Sequence, residues 1–504
     1  CCQKKAGNFK LALNCPLSLI LCLDSWFLAL DSWLLVLYLI KYSCIFESIM
    51  TSKLPPALIR SLKENYSIEE EEFIAIHTNG EQLTSVRLNP FKPSKAFANS
   101  EPMPWCKNGR YLTERPSFTA DPLFHAGCYY VQEASSMFLE HVLKNTLDLS
   151  ESLKVLDLCA APGGKSTLIS SLLTKDSLLL ANEIIKTRVP ALCDNMNKWG
   201  PENTFVSNND PKDFKRLEGY FDAIVVDAPC SGSGMFRKDP VAINEWSESA
   251  VQLCSQRQQR ILADVIESLK QNGTLIYSTC SYSKQENEEI SDWLFETFEL
   301  ESIRIPLDTE WGIVETQSDD HQCYGYRFYP HKVKGEGFFI AAFRKKSISA
   351  FPQIRRAREN TVNIKNEEII RRWLIDSQEI RLINLQEEFF AIPARLEADL
   401  SYLQSRLYLK KSGIRIGKVM GKDLVPNHEL AVSLLNSPAV HRINLTHDQS
   451  ISYLKREELR LESDHRGWAL MCFKDQPLGW TKILDNRLNN YFPKELRIVN
   501  QRVS

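Results

Sequence analysis

Two short stretches carry cysteines in settings that suggest chemistry. Asp227-Ala-Pro-Cys230-Ser-Gly-Ser-Gly234 and Tyr277-Ser-Thr-Cys280-Ser-Tyr-Ser-Lys-Gln-Glu286 each place a thiol just after a short apolar run. A lone cysteine is most often a small buried hydrophobe. Two of them at the carboxyl ends of neighbouring strands are a different matter, because open α/β sheets keep their functional groups at that edge. Ser283-x-x-Glu286 follows Cys280 and reads as a capping box at a helix start. Backbone amides at such a start favour a thiolate, so Cys280 is a candidate nucleophile.

A third stretch, Cys159-Ala160-Ala161-Pro162-Gly163-Gly164-Lys165-Ser166-Thr167, follows a strand and opens a helix. Its end resembles a phosphate loop, which would imply ATP or GTP, but the glycine required five residues before Gly164 is Cys159. The double glycine still allows close backbone approach to a ligand at a helix N-terminus. Glu183, twenty residues after Gly163 and at the end of the next strand, suits the ribose hydroxyls of an adenosine-containing cofactor. Asp210 ends the following strand, where it could meet the adenine amino group. The pattern favours S-adenosylmethionine, with a nucleotide triphosphatase as the competing reading.

Thiols beside a methyl donor suit methylation of a pyrimidine at carbon 5, which is a poor nucleophile. A thiolate adding at carbon 6 makes the ring enamine-like. The carbon-5 proton must then leave and the thiol be eliminated, so a second acid/base group is useful. Asp227 could orient or protonate the polar edge of the base. An amine methylase would need no thiol, and its strand would usually end Asn/Asp-Pro-Pro-aromatic.

The elements that must position these groups alternate short apolar runs with helical stretches, the signature of a parallel sheet wrapped by helices. Candidate strands are Lys154–Cys159, Leu178–Asn182, Thr204–Ser207, Ala223–Asp227, Thr274–Ser278 and Phe338–Phe343, with a long amphipathic helix after Trp246. Ahead of them, Leu58, Ile59, Leu62 and Tyr66 mark a helix and Thr84–Pro90 a strand ending in a turn. Behind them, Ala357–Leu382 reads as helical. The stretch from Gln404 to Lys422 holds six basic residues and no acid, either a solvated loop or a site of phosphate contact. Trp468, Trp480 and Tyr491 punctuate a last segment of short strands.

Tyr130-Val-Gln-Glu-Ala-Ser-Ser136, Leu156-Asp-Leu-Cys-Ala-Ala-Pro-Gly-Gly-Lys165, Asp227-Ala-Pro-Cys230, Ser278-Thr-Cys280-Ser and Arg327-Phe-Tyr-Pro-His331 with Gly335-x-Gly-Phe-Phe339 resemble the Sun/Nop family of RNA (cytosine-5) methyltransferases. The resemblance covers about residues 55–345. Asn208-Asn-Asp210, Lys411-Ser-Gly-Ile-Arg415 and Pro426-Asn-His-Glu-Leu430 are similar to the branch acting on small-subunit ribosomal RNA. It implies a Rossmann-like S-adenosylmethionine-dependent core with an N-terminal α+β module and a ferredoxin-like and PUA-like RNA-binding appendage. The implied divisions are 50–149, 150–345, 346–424 and 425–504. It further implies Cys280 as nucleophile, Cys230 as the residue that assists product release, and residues 159–165, Glu183, Asp210 and Asp227 around the cofactor. The order of the cysteines stays open, since DNA cytosine-5 methylases use the Pro-Cys thiol, here Cys230. The implied partner is ribosomal RNA or the small ribosomal subunit, with the target cytosine flipped into the site. Transfer RNA and a catalytically silent ribosome-assembly role are the alternatives.

Composition sets the outer limits. The 504 residues carry 61 basic and 63 acidic side chains, a net charge of −2, so any nucleic-acid contact must come from local patches. Fourteen cysteines form no C-x-x-C pair, which points to reduced thiols, no metal and a cytoplasmic enzyme. Residues 1–49 precede the first methionine, Met50, and include an apolar run broken by Asp24 and Asp31. Each aspartate costs ~2.5–3.5 kcal/mol near a bilayer centre. The expectation is therefore upstream sequence translated in frame ahead of Met50, and no membrane partner.

Overall fold

A computed structural model describes residues 54–499 except 67, 80, 81, 350, 351, 353, 355–361, 376–378, 386, 462 and 486. The expectation for residues 1–49 lies outside the described residues. Among those described, no helix is long and apolar enough to cross a membrane.

The centre is a ten-stranded sheet: β1 (Lys154–Asp157), β2 (Leu178–Asn182), β3 (Thr204–Ser207), β4 (Phe221–Asp227), β5 (Leu269–Thr279), β6 (Leu300–Ser302), β7 (Val314–Gln317), β8 (Tyr324–Phe328), β9 (Phe338–Lys345) and β10 (Leu409–Ser412). They lie in the order β7-β8-β9-β5-β4-β1-β2-β3-β10, with β6 beside β9. The run β3-β2-β1-β4-β5 is parallel, and β9 enters antiparallel to β5. This is the Rossmann-like order, whose switch point lies between β1 and β4. The strands are near-continuously apolar because helices cover both faces: β2 is buried at every position. Helices α1 (Gly164–Leu172), α2 (Val189–Trp199), α3 (Glu248–Val265) and α4 (Glu288–Thr297) are the main ones of this core. Their apolar stripes divide into two clusters, one around Val155, Ile169 and Leu192, the other around Leu156, Ile224 and Leu262.

The N-terminal module has a four-stranded antiparallel sheet containing Thr84–Leu88 at its centre. Its two leading helices, Pro56–Tyr66 and Glu70–Thr78, turn elsewhere. Leu58, Leu62 and Phe73 pack on Phe236, Tyr282 and Tyr329, on the loops that follow β4, β5 and β8. Burying each such side chain is worth about 1.5–3 kcal/mol, so the module braces the loops that carry the cysteines.

Two further four-stranded sheets follow, one built from Ile380–Leu385, Glu388–Pro393, Ile414–Met420 and Asp423–Pro426, the other from residues between Arg442 and Asn490. The last sheet closes on the N-terminal module: Tyr453, Met471 and Phe473 share a core with Val86, Leu123 and Tyr129.

Two expectations need correction here. Within 357–382 the described helix is Ile364–Arg371, and Ile380–Leu385 is a strand paired with Glu388–Pro393, because its alternating apolar residues find a hairpin partner. The basic stretch is not one loop. Leu409–Ser412 is the edge strand β10, antiparallel to β3. Lys411 is buried and faces Glu429 at 3.4 Å, and Arg415 pairs with Glu388 and Glu429. Acids distant in sequence neutralise charges that the local sequence leaves bare.

Candidate active site

The loop after β1 turns sharply into α1. Gly163 sits at φ +114 as the N-cap of α1, a left-handed conformation that favours glycine. A Cβ there would meet Leu192 at 3.3 Å and Asn195 at 3.4 Å. Neighbouring side chains hold the loop's carbonyls: Asn195 donates to Pro162 O at 2.8 Å, and Arg188 donates to Ala161 O. The Ala160 amide donates to Asn182 O at 2.8 Å. Cys159 is half-buried, and Ala160 and Ala161 are buried. From the N-terminal module, buried Arg87 donates to Gly164 O at 3.1 Å and Thr167 Oγ1 at 2.6 Å, and stacks on Trp199.

Asp157 ends β1 with no exposed surface, and burial pushes its carboxyl up to about 7. One oxygen accepts from Ser166 Oγ at 2.6 Å and the other has no hydrogen-bond partner. Glu183 ends β2. Its Oε1 accepts from the Ile185 amide at 2.8 Å, while its buried Oε2 makes no hydrogen bond and faces Arg188 at 3.3 Å. Asp210 follows β3 and caps the turn Pro211–Leu217 by accepting from the Lys212 amide at 3.1 Å. The loop, Glu183 and Asp210 therefore line the carboxyl ends of β1, β2 and β3. Asn182, which sequence reasoning passed over, ties those three strand ends together. It donates to Leu158 O and Asn209 O and accepts from Ser207 Oγ.

Lys165 does not project as a phosphate ligand. Its ammonium lies 2.8 Å from Asp227 Oδ2 at the end of β4. Burial works against its charge, but Asp227, Asp157 and Cys280 together hold it above its usual value. Asp227 also accepts from Ser278 Oγ at 2.9 Å, which fixes it against β5.

The two thiols meet. Cys230 Sγ and Cys280 Sγ are 3.0 Å apart, each half-buried. Contact with Cys280, then burial, pushes the Cys230 thiol well above its usual value. The proposed capping box at Ser283 is absent: the Ser283 side chain caps nothing, and the turn after it is a short 3-10 segment. Glu286 instead turns inward to the cysteine loops, because four donors there satisfy a carboxylate that would otherwise be solvated at a helix end.

The sequence profile described as 16S rRNA methyltransferase RsmB/F matches residues 144–344. Those of the N-terminal domain of 16S rRNA methyltransferase RsmF and the methyltransferase RsmF PUA domain match 54–134 and 440–498. The ribosomal RNA small subunit methyltransferase F of Psychromonas ingrahamii is 30% identical over 415 residues, covering 78% of this chain and 85% of that protein. That of Escherichia coli O6:H1 is 30% identical over 450 residues, covering 82% and 90%. The chain belongs to the 16S rRNA methyltransferase RsmB/F family. The crystal structure of PH0851 shares its fold, with a TM-score of 0.52 and 26% identity over 58% of this chain and 66% of that one. The last sheet of this RsmB/F member is its PUA domain.

The cofactor of this methyltransferase is S-adenosylmethionine. The residues present fit it: Asp157 Oδ1 at the end of β1 is a buried acceptor without a hydrogen bond, and Glu183 Oε2 after β2 is a second, met only by the charge of Arg188 at 3.3 Å. No phosphate-binding lysine is free in the loop, which disfavours the triphosphatase reading.

Proposed function

We propose that the chain methylates carbon 5 of a cytosine in small-subunit ribosomal RNA through a covalent adduct. The observation that carries this reading is the pair of thiols, 3.0 Å apart, on the turns that follow β4 and β5. Lys165 and Asp227 join those turns to the glycine loop. Bound S-adenosylmethionine supplies an electrophilic methyl group. Residues 159–165, Glu183 and Asp210 hold the cofactor. Asp227, paired with Lys165 and oriented by Ser278, faces the amino edge of the flipped base. Cys280 adds to carbon 6, and the electron pair released to carbon 5 takes up the methyl group as its bond to the sulfonium sulfur breaks, leaving S-adenosylhomocysteine. Cys230 then assists loss of the carbon-5 proton, and the ring expels the Cys280 thiolate. The PUA domain and the exposed Lys418 and Lys422, on and just after the strand Ile414–Met420, are suited to hold RNA by its phosphates.

The test is methyl transfer from labelled S-adenosylmethionine to unmodified small ribosomal subunits, naked small-subunit rRNA and a tRNA pool, followed by mapping of 5-methylcytosine. Label at a single cytosine of the subunit or its RNA is the expected result. Label on tRNA would keep the chemistry and overturn the substrate. No transfer, with the cofactor bound, would leave a silent assembly factor.

A further inference from the structure

Among the described residues, Glu286 is a buried carboxylate without a basic partner at hydrogen-bond distance, and its donors belong to the cysteine turns or to α3. Oε1 accepts from the Ser231 amide at 2.7 Å and from Gln258 Nε2 at 3.4 Å. Oε2 accepts from Ser231 Oγ at 2.6 Å and from Ser281 Oγ at 2.5 Å. Ser231 and Ser281 are the residues immediately after Cys230 and Cys280. Gln258, on α3, also donates to Pro229 O at 3.1 Å, on the other side of Cys230. The main chain of Glu286 is itself fixed, since its carbonyl accepts from Tyr277 Oη at 2.6 Å. Other ties between the two turns are the Gly234 amide on Cys280 O at 2.8 Å, the Tyr282 amide on Ser233 Oγ at 2.9 Å, and the approach of Ser281 Oγ to Ser231 Oγ at 3.2 Å and Ser233 Oγ at 3.4 Å, all bonds between neutral groups. One carboxylate therefore bonds the neighbour of each thiol at once.

We propose that Glu286 is a positioning residue that clamps the turns after β4 and β5 and so sets the Cys230–Cys280 separation. This rests on the reading of the two cysteines as the reacting pair. A carboxylate suits the task because its two oxygens take several donors from different directions, and charge-assisted bonds are stronger than neutral ones. The cost is a buried charge, visible as burial raising the Glu286 carboxyl above its usual value. That charge also lies close enough to Cys230 to oppose a thiolate there, after the contact with Cys280 and burial.

The experiment uses the full chain with Glu286→Ala and Glu286→Gln, and reads thiol bridging by dibromobimane, with peptide mapping of the Cys230–Cys280 bridge. Glutamine keeps an acceptor for the Ser231 amide and an amide able to bond a serine hydroxyl, whereas alanine keeps nothing. Expected is bridging slowed about tenfold and kcat lowered about 100-fold in Glu286→Ala. S-adenosylhomocysteine affinity and the KM for RNA should be unchanged, and glutamine should recover most of both losses. Wild-type bridging in Glu286→Ala would overturn the proposal, as would equal loss in both variants. If Glu286→Ala fails to fold, the double variant Ser231→Ala/Ser281→Ala removes the hydroxyl donors alone and must slow bridging in the same sense. Bridging needs neither RNA nor turnover, so its outcome judges the clamp. Methyl transfer by Cys280→Ala would instead defeat the functional reading.

Discussion

At the level of single residues, the two thiols differ in their neighbours although they touch. Cys280 lies on the side of Lys165, whose charge it helps to sustain, and Cys230 lies toward Glu286. Contact with Cys280, burial and the Glu286 charge all disfavour a thiolate on Cys230, which suits the proton-carrying role proposed for it. Cys280→Ala should therefore abolish the covalent protein–RNA band on denaturing gels, while Cys230→Ala should let that band accumulate. The opposite pattern would reverse the roles. Asp227 makes a further prediction. Asp227→Asn keeps the bond from Ser278 but loses the ion pair with Lys165, and kcat should fall about 100-fold or more with cofactor affinity changed far less. An equal fall in affinity, read by calorimetry with S-adenosylhomocysteine, would make Asp227 chiefly a cofactor ligand.

At the level of elements, the site depends on strand ends brought within a few ångströms by loops that leave no spare room. Gly234, after the Cys230 turn, donates to Cys280 O and accepts from the Gly337 amide at the start of β9. A Cβ at Gly234 would lie 2.4 Å from Gly337 O and 2.8 Å from Cys280 O, both main-chain atoms that cannot swing aside. Gly234→Ala should displace the Cys280 turn and lower kcat by about 100-fold. Cofactor binding should survive, because the glycine loop follows β1 and makes no bond to Gly234. Unchanged turnover would show that the turn tolerates movement. The same reasoning explains the two N-terminal helices. Their buried residues, Leu58, Ile59, Leu62 and Phe73, rest on Phe236, Tyr282 and Tyr329, so they brace the cysteine-bearing loops rather than their own sheet.

Across the whole molecule, the parts are locked together at Lys92. This buried ammonium donates to Ala126 O at 2.8 Å, Lys198 O at 2.6 Å and Val432 O at 2.6 Å, joining the N-terminal module, the end of α2 and the C-terminal half. Burial lowers Lys92 from 10.5 to about 7. Between those values the unfolded chain keeps a proton that the folded chain releases, so stability rises with pH across the window and the charge costs most below about pH 7. Lys92→Met removes the titration and leaves three carbonyls without this donor. Urea midpoints should show wild type gaining stability from about pH 7 to pH 9.5 relative to Lys92→Met. Parallel pH dependence in the two proteins would contradict this account.

Much of the core could be read along the chain. The strands β1 to β5 and β9, the long helix α3 and the glycine loop all fall where local patterns put them, because each is defined by a run of apolar residues or by turn chemistry within a few positions. The cysteines stood out for the same reason: each closes a strand. Glu286 did not, since its spacing from Ser283 imitates a cap and its true partners lie at 231, 258 and 281. Lys411 and Arg415 misled likewise, their charges being met by Glu429 on the short helix His428–Val432 and, for Arg415, by Glu388 on a paired strand. Nor could local pattern show β10 joining β3, or Arg87 reaching α1 from another module. Apolar periodicity and turn residues act over a few neighbours and are written in order along the chain. Charge pairing, buried hydrogen bonds and the distance between two sulfurs depend on which surfaces meet, and that is settled only when the sheets close on one another.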